Sequence, residues 1–328
     1  MDPTQRVPLG KTPLTVSRLG LGSAPLGGLF RPVEDAEAHG VVQSAYELGL
    51  RLFDTAPLYG HGLAERRTGA VLGQVLRSDF VLATKVGRLL RADAPPDPRR
   101  QFKNVPPVNP VFDFSYDGVM RSFEESLERL ELDRIDILHI HDPDHHYQEA
   151  LNGACRALDG LRAEGTIGAV GAGMNQAEML ARFAREADFD CFLVAGRYTL
   201  LDQAALSELL PLCVDKRIAV IIGGVYNSGI LADPHEGATF NYAPAERHWL
   251  DKAQRLEGVC ARHRVPLKAA AIQFPLGHPA VATVLTGVRS VAELDENVRM
   301  FRFEIPRDLW QELRAEGLLP PEAPVPGA

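Results

Sequence analysis

Segments typical of β-strands and α-helices alternate eight times along this 328-residue chain. Short apolar runs predict strands near 19–22, 51–54, 80–86, 135–141, 168–172, 191–194, 218–222 and 282–286. Amphipathic segments predict helices at 34–49, 63–76, 116–130, 148–164, 176–186, 203–215, 245–263 and 291–300. Strands that alternate with helices pair in parallel, so this order predicts a closed (β/α)₈ barrel of class α/β. We take residues 1–328 as one domain, because such barrels often exceed about 250 residues.

Four further segments modify this barrel. Residues 6–9 and 14–16 flank a turn and predict an N-terminal hairpin at the barrel floor. The long loops 88–114 and 224–244 follow strands, so we expect them above the C-terminal face, where loops shape binding sites. The proline-rich tail 319–328 is predicted to be loosely ordered.

Composition narrows the class of protein. A net charge of −8 argues against nucleic acid or an anionic membrane as partner. No apolar run reaches the roughly 18 residues of a membrane span, and residues 1–4 lack the features of a signal peptide. We therefore expect a cytoplasmic protein with a small-molecule substrate, and leave its oligomeric state open. Four cysteines without a C-x-x-C pair are predicted to be buried thiols: Cys155, Cys191, Cys213 and Cys260.

Four polar residues lie at or just beyond the ends of strand candidates. Asp54 and Tyr59 share the segment Asp-Thr-Ala-Pro-Leu-Tyr-Gly at 54–60, Lys85 lies near the end of 80–86, and His141 ends 135–141. Strands of a β/α barrel bring their C-terminal ends to one face, so these side chains should meet there. A carboxylate, a phenol, an ammonium and an imidazole at one barrel mouth are typical of a proton-transfer site.

These residues and their spacing resemble the aldo-keto reductase superfamily, whose catalytic tetrad is Asp, Tyr, Lys and His on a (β/α)₈ barrel. The likeness extends from the Gly-Leu-Gly turn at 20–22 to Glu296 and Asn297. Segments 123–130 and 136–142 are most similar to the bacterial L-fucose (D-threo-aldose 1-) dehydrogenases, plant L-galactose dehydrogenase and pyridoxal 4-dehydrogenase.

The resemblance implies a role for each member of the tetrad. Tyr59 would be the general acid and base, although a free tyrosine titrates near ~10. A Lys85 ammonium ~4 Å away would attract the phenolate by roughly 4 kcal/mol, and Asp54 would keep Lys85 charged. His141 would orient the substrate oxygen, with Asp142 as a further substrate contact. The alternative is a salt bridge at the barrel mouth beside a packed tyrosine.

The histidine-rich segment 139–146 invites a metal-binding interpretation. It lacks a recognised zinc spacing with cysteine, so we expect no metal. His139 should lie deeper in the barrel than His141, because the two alternate along one strand face.

The superfamily uses NADP or NAD, and both are compatible with this sequence. The glycine turn at 20–22 is not G-x-G-x-x-G, so a Rossmann domain is not indicated. Residues 285–290 follow the eighth strand and open a helix, a common phosphate site in barrels. Arg289 would meet a 2′-phosphate or remain a solvated surface charge, and Ser290 with Glu293 also forms a capping box. The predicted cofactor contacts are Gly22, Ser23, Asp54, Asn175, Gly224, Gly287, Arg289, Ser290, Glu296 and Asn297.

The positions that usually hold the nicotinamide ring depart from the family pattern. Asn175 lies one place later than expected and could instead cap a helix. Ala195 replaces the usual glutamine, and Gly223 or Gly224 replaces the usual stacking aromatic. Substitutes for that aromatic are Tyr198 and Tyr226.

The leading hypothesis is oxidation of an aldose such as L-fucose, L-galactose or D-arabinose at C1 to the aldonolactone. Hydroxyl groups of the sugar would meet Asp142, Asp144, His145 and Arg100. Alternative enzymes are a pyridoxal 4-dehydrogenase or a small-aldehyde reductase. A different class is a nucleotide-binding regulatory subunit without turnover. The complete tetrad, and the lack of an added N-terminal segment, favour an enzyme.

Overall fold

Eight parallel strands close into a barrel in the computed structural model, which describes residues 1–97 and 101–327. Along the chain, each barrel strand pairs with the next, and the last pairs with the first. The strands are β1 (Arg6–Pro8), β2 (Thr15–Ser17), β3 (Leu19–Gly22), β4 (Leu52–Asp54), β5 (Val81–Val86), β6 (Arg88–Arg91), β7 (Asn109–Phe112), β8 (Ile137–His141), β9 (Ala169–Met174), β10 (Cys191–Ala195), β11 (Ala219–Gly223), β12 (Thr239–Phe240), β13 (Ala243–Pro244) and β14 (Val281–Gly287). The barrel itself consists of β3, β4, β5, β8, β9, β10, β11 and β14.

Helices surround the barrel and follow its strands. They are α1 (Asp35–Glu47), α2 (Leu63–Leu72), α3 (Tyr116–Leu130), α4 (Tyr147–Glu149), α5 (Cys155–Ala163), α6 (Ala177–Glu186), α7 (Leu209–Lys216), α8 (Arg247–Arg262), α9 (Leu267–Gln273), α10 (Val291–Arg302) and α11 (Arg307–Ala315). A π-helical turn, Ala150–Ala154, joins α4 to α5. The predicted (β/α)₈ fold is confirmed.

Local sequence explains where several of these helices begin and end. The Ser115 side chain accepts a hydrogen bond from the Gly118 amide at the start of α3, and Ser290 does the same for Glu293 at the start of α10. Helix α2 ends at Leu72, earlier than predicted, and Gly73 follows it as the C-cap. The helix predicted at 203–215 is a 3₁₀ turn, Ala204–Leu206, followed by α7.

The N-terminal hairpin closes the floor of the barrel, as predicted. Strands β1 and β2 pair in antiparallel fashion. Leu9 and Val16 are fully buried in one apolar cluster with inward-facing barrel residues such as Leu52 and Ile137. Lys11 forms an ion pair with Asp188, just before β10. The mouth at the opposite end is therefore the open face of the barrel.

Both long loops at the mouth carry a hairpin that was not predicted. Strands β6 and β7 pair within loop 88–114, and β12 and β13 pair within loop 224–244. Helices α9 and α11 are also additional to the eight predicted ones. Helix α9 is buried along most of its length, so it lacks the amphipathic pattern that would have identified it.

The prediction of a loosely ordered tail is wrong for residues 319–327. Leu319, Ala323 and Val325 are buried, and the Ala323 carbonyl accepts a hydrogen bond from Arg314. Gly277 lies so close to Val325 that an added Cβ would stand 2.6 Å from the Val325 carbonyl carbon. The prolines of the tail thus shape a packed segment.

The four cysteines are buried and form no disulfide, which confirms the predicted buried thiols. Among the helices of residues 1–97 and 101–327, none combines the length and apolar character that crossing a membrane requires.

Candidate active site

A buried ion pair lies at the mouth of the barrel. Asp54 ends β4, and Lys85 lies one residue before the end of the neighbouring β5. The Lys85 Nζ stands 2.6 Å from Asp54 Oδ1 and 2.8 Å from the Thr55 carbonyl oxygen. The two side chains are only 1% and 4% exposed. An ion pair that is this deeply buried needs close hydrogen-bond partners, because removing the two charges from water costs several kcal/mol per ion.

Tyr59 lies directly over this pair. The Lys85 Nζ is 4.5 Å from the centre of the Tyr59 ring, and the His141 ring meets the Tyr59 ring edge-on with centroids 5.8 Å apart. The tight turn at Gly60 (φ 62°) packs against Gly27, whose backbone oxygen would stand 2.4 Å from a Cβ on Gly60. Side chains are excluded from this contact, so the loop after β3 fixes the Tyr59 segment. The four predicted tetrad residues are thus close together.

The pKa of Tyr59 differs from the expectation. Burial raises it well above the ordinary value, the negative charge of Asp54 raises it further, and the charge of Arg88 lowers it. The Lys85 ammonium is already bound by Asp54 and the Thr55 carbonyl, so it compensates Asp54 more than it stabilises a phenolate. Tyr59 is therefore a neutral phenol at neutral pH, the form that acts as a general acid.

His139 and His141 differ as predicted. His139 is fully buried beside Lys85 in the β5–β8 register, and burial followed by the Lys85 charge lowers its pKa to about 3. It therefore stays neutral. His141 lies at the mouth, beside Tyr59. Within residues 1–97 and 101–327, no group of three or more His, Cys, Asp or Glu side chains is arranged to hold a metal ion.

A cavity of about 430 Å³ extends from Tyr59 and Asp54 across the barrel mouth to Arg289. Eight of the ten predicted cofactor contacts line it: Gly22, Asp54, Asn175, Gly224, Gly287, Arg289, Glu296 and Asn297. Ser23 follows Gly22 and is buried, whereas Ser290 caps α10. Lining residues that the sequence did not indicate include Phe30 and Lys268, whereas Tyr242, Thr286 and Glu293 belong to segments that it did indicate.

The polar groups around this cavity fit a nicotinamide nucleotide. In the described part of the chain, two residues that line the cavity have a buried side-chain atom without a hydrogen-bond partner, Thr286 Oγ1 and Arg289 Nε, and so does Ser23 next to the lining residue Gly22. Buried polar atoms are normally satisfied, so unsatisfied ones along a cavity indicate a polar ligand. A nucleotide there would carry a carboxamide, phosphates and hydroxyl groups within reach of these atoms.

The residues that depart from the family pattern around the nicotinamide position have defined places in the structure. Asn175 lines the cavity and donates a hydrogen bond to the Ala195 carbonyl (2.9 Å), whereas Gln176 occupies the N-cap position of α6. The helix-cap interpretation of Asn175 is therefore wrong. Tyr198 is buried against Phe274 at 5.2 Å and does not line the cavity. Tyr226 lines it and donates to Asn297 Oδ1 (2.9 Å).

The far end of the cavity is charged. Arg289 is half-buried and lines the cavity, the position that a contact with a 2′-phosphate would require. The Glu293 carboxylate accepts a hydrogen bond from the Arg289 amide (2.8 Å), which extends the predicted capping box. Lys268 forms an ion pair with Glu296 at 2.9 Å. The capping hydrogen bond keeps the Glu293 carboxylate at the Arg289 amide. Among the described residues that line the cavity, the cations are Lys268, which is paired with Glu296, and Arg289, which has no acidic partner.

The surroundings of Tyr59 contain one charged residue that the sequence did not indicate. Arg88 follows the β5 strand and forms an ion pair with Asp142 at 2.9 Å. The 54-residue separation of the two gave no signal in the sequence. Of the other proposed sugar contacts, Asp144 accepts a hydrogen bond from Gln176 and His145 is exposed. Arg100 lies outside the described residues.

Residues 18–316 match the model of the Aldo/keto reductase family. The chain belongs to this family. It is 44% identical to pyridoxal 4-dehydrogenase from Microbacterium luteolum, with 95% of this chain and 97% of that protein covered. It is 42% identical to D-threo-aldose 1-dehydrogenase from a Pseudomonas species, with 94% and 96% covered.

A solved structure supports the same assignment. The holo form of an aldo-keto reductase from Bacillus halodurans superposes with a TM-score of 0.75 at 25% identity, covering 95% of this chain and 96% of that one. The predicted family is confirmed, and this aldo-keto reductase is an oxidoreductase that uses NAD(P)H, as its family does.

The ion pair under Tyr59 gives a test of its electrostatic effect. Lys85→Met leaves the Asp54 carboxylate uncompensated, and negative charge opposes ionisation of the phenol. The pH at which oxidative turnover rises should move upward by roughly one unit. The double variant Asp54→Asn/Lys85→Met removes both charges and should return the profile toward wild type. The measurement is the initial rate of nucleotide reduction from neutral to alkaline pH.

Two controls accompany this test. Thermal unfolding of both variants separates folding from chemistry, since breaking a buried pair costs about 3–5 kcal/mol. Nucleotide affinity should survive in Lys85→Met, because the Lys85 side chain does not line the cavity. An unchanged pH profile in a folded Lys85→Met protein would show that the pair does not act on Tyr59.

Proposed function

We propose that this aldo-keto reductase oxidises the cyclic hemiacetal of an aldose, such as L-fucose, L-galactose or D-arabinose, at C1. The product is the aldonolactone, and NAD or NADP is the oxidant. One observation carries the proposal: Tyr59 and His141 meet at the end of a cavity suited to a nicotinamide nucleotide, beside the polar pair of Arg88 and Asp142. An aldose dehydrogenase is among the similar relatives.

The chain's own residues account for the proton in this reaction. A bound NAD or NADP, held by cavity residues such as Gly22, Asn175 and Arg289, would supply the acceptor for the hydride that leaves C1. The phenolate form of Tyr59 takes the proton of the anomeric hydroxyl, and His141 holds the same oxygen through a hydrogen bond. The lactone, the reduced nucleotide and one proton are the products. Since Tyr59 is a neutral phenol at neutral pH, oxidation should become faster as the pH rises.

Pyridoxal is the second candidate substrate. Its aldehyde closes on the neighbouring hydroxymethyl group into a cyclic hemiacetal, so its oxidation also gives a lactone. The relative at 44% identity is a pyridoxal 4-dehydrogenase. Aromatic side chains near the mouth would suit its planar ring. The ring centroids of Phe102 and Tyr59 are 6.2 Å apart, and those of Phe30 and Tyr242 are 6.3 Å apart. Both candidates require the same catalytic groups.

A substrate screen with a catalytic variant tests this proposal. The wild-type protein is incubated with L-fucose, L-galactose, D-arabinose or pyridoxal and with each nucleotide, and nucleotide reduction is followed by absorbance. Tyr59→Phe keeps the ring but removes the transferable proton. We expect its turnover to fall by about 10²–10⁴-fold while nucleotide binding is preserved. The lactone product is identified by mass spectrometry.

Two results would contradict the proposal. Wild-type turnover in Tyr59→Phe would exclude the assigned acid–base role. If the protein binds the nucleotide but reduces it with none of the four compounds, a small-aldehyde reductase or a regulatory subunit would be favoured.

The charged end of the cavity predicts use of both nucleotides, with Arg289 favouring NADP. A charge-assisted contact to a 2′-phosphate is worth roughly 1.5–3 kcal/mol, or about a 10- to 150-fold preference. Arg289→Ala should therefore weaken NADP and spare NAD, as measured by fluorescence titration. The matched control is Arg299→Ala, because Arg299 is 69% exposed on α10, the helix that Arg289 precedes, and does not line the cavity. Equal weakening of both nucleotides by Arg289→Ala would place the side chain at their shared pyrophosphate.

A further inference from the structure

Arg88 is buried directly beyond the strand that carries Lys85. Gly87 (φ 99°) turns the chain out of β5, and Phe114 packs so close that a Cβ on Gly87 would stand 2.1 Å from its ring. This turn directs Arg88 back toward the mouth, where its side chain is 3% exposed. Its guanidinium lies 4.8 Å from the centre of the Phe112 ring. The environment therefore fixes the position of this charge.

Asp142 links this cation to His141. It follows β8 in a left-handed conformation (φ 42°), and its amide donates a hydrogen bond to the Gly173 carbonyl at 3.1 Å. One oxygen of its carboxylate, Oδ2, stands 2.9 Å from Arg88 Nη2 and 3.5 Å from His141 Nε2. A non-glycine residue in this conformation is uncommon and occurs often at functional sites. The carboxylate is thus held between a permanent cation and the imidazole.

The pair also acts on Tyr59. The charge of Asp142 raises the pKa of Tyr59, and the charge of Arg88 lowers it. In the described part of the chain, the charged and titratable groups that face Tyr59 are Asp54, Lys85, Arg88, His141, Asp142 and Tyr242. Asp54 has Lys85 as its compensating cation, and Asp142 has Arg88.

We propose that Arg88 is a positioning residue for the oxidation reaction: it holds the Asp142 carboxylate at His141 and compensates its negative charge beside Tyr59. This inference rests on the proposed function, in which Tyr59 moves the proton. The site then contains two ion pairs, one below the tyrosine ring and one beside it. In the first pair Asp54 orients Lys85, and in the second Asp142 orients His141. In each pair the cation reduces the rise in the Tyr59 pKa that the carboxylate would cause.

A charge cycle tests this inference. The substrates are L-fucose, L-galactose, D-arabinose and pyridoxal at saturating nucleotide, and the readout is kcat against pH. Arg88→Met should move the alkaline rise upward by roughly one unit, which lowers turnover at a fixed pH about tenfold. Asp142→Asn should move it downward. In Arg88→Met/Asp142→Asn both charges are gone, so the profile should return close to wild type.

Two further variants separate charge from local folding. Arg88→Lys keeps the cation and should restore most of the wild-type profile. Arg91→Met is the matched control, because Arg91 lies on the same strand but pairs with Glu125 at 2.9 Å. Its pH profile should be unchanged. Thermal unfolding and nucleotide affinity are measured for every variant.

The contradictory outcomes are distinct. If Arg88→Met retains the wild-type pH profile, or if the double variant shifts as far as Arg88→Met, Arg88 only stabilises loop 88–114. If Tyr59→Phe retains full turnover, the proposed function itself fails, and so does the inference. If the wild type oxidises none of the four compounds, both are overturned.

Discussion

The buried ion pair between Asp54 and Lys85 is the interaction on which the mouth of this barrel depends. Two charges in a dry site are costly unless each is bound closely, and here the contact of 2.6 Å is supported by the Thr55 carbonyl. The pair requires β4 and β5 to be adjacent and in register, which the closed barrel provides. The Tyr59 ring lies over the pair, and the contact between Gly60 and Gly27 keeps the Tyr59 segment in this place.

This arrangement makes the tyrosine a neutral acid. Burial and the nearby carboxylates oppose the phenolate more than the cations favour it, so the pKa of Tyr59 rises. Such a group is ready to protonate a carbonyl, and it takes a proton from a substrate hydroxyl more readily at alkaline pH. The same site can therefore work in both directions, with the pH and the nucleotide ratio determining which one prevails.

Much of the fold and the core of the site could be predicted from the sequence. The hydrophobic pattern of most strands and helices is regular enough to show their alternation. Residues at strand ends, such as Asp54 and His141, must then meet at one face of a barrel. Features that depend on tertiary contacts could not be predicted. Helix α9 is buried along most of its length and lacks an amphipathic pattern. Val325 is packed because Gly277, distant in sequence, leaves room for it.

The site shows the same division. Arg88 and Asp142 meet across 54 residues, and only the folded chain brings them together. The shift in the pKa of Tyr59 was expected to be governed by Lys85, which Asp54 was predicted to hold, but the sequence does not show the burial of the phenol or the contact of Lys85 with the Thr55 carbonyl. In contrast, most predicted cofactor contacts line one cavity, because they lie at strand ends, in loops and in α10 around the C-terminal face.

The most direct measurement is the ionisation of Tyr59 itself. The seven tyrosines can be labelled with ¹³C at Cζ, and the Tyr59 resonance assigned by its loss in Tyr59→Phe. In the free protein, this resonance should keep the chemical shift of a neutral phenol beyond the pH of about 10 at which an ordinary tyrosine titrates. A titration midpoint below about 10 would contradict the claim that burial and Asp54 outweigh the cations around this phenol.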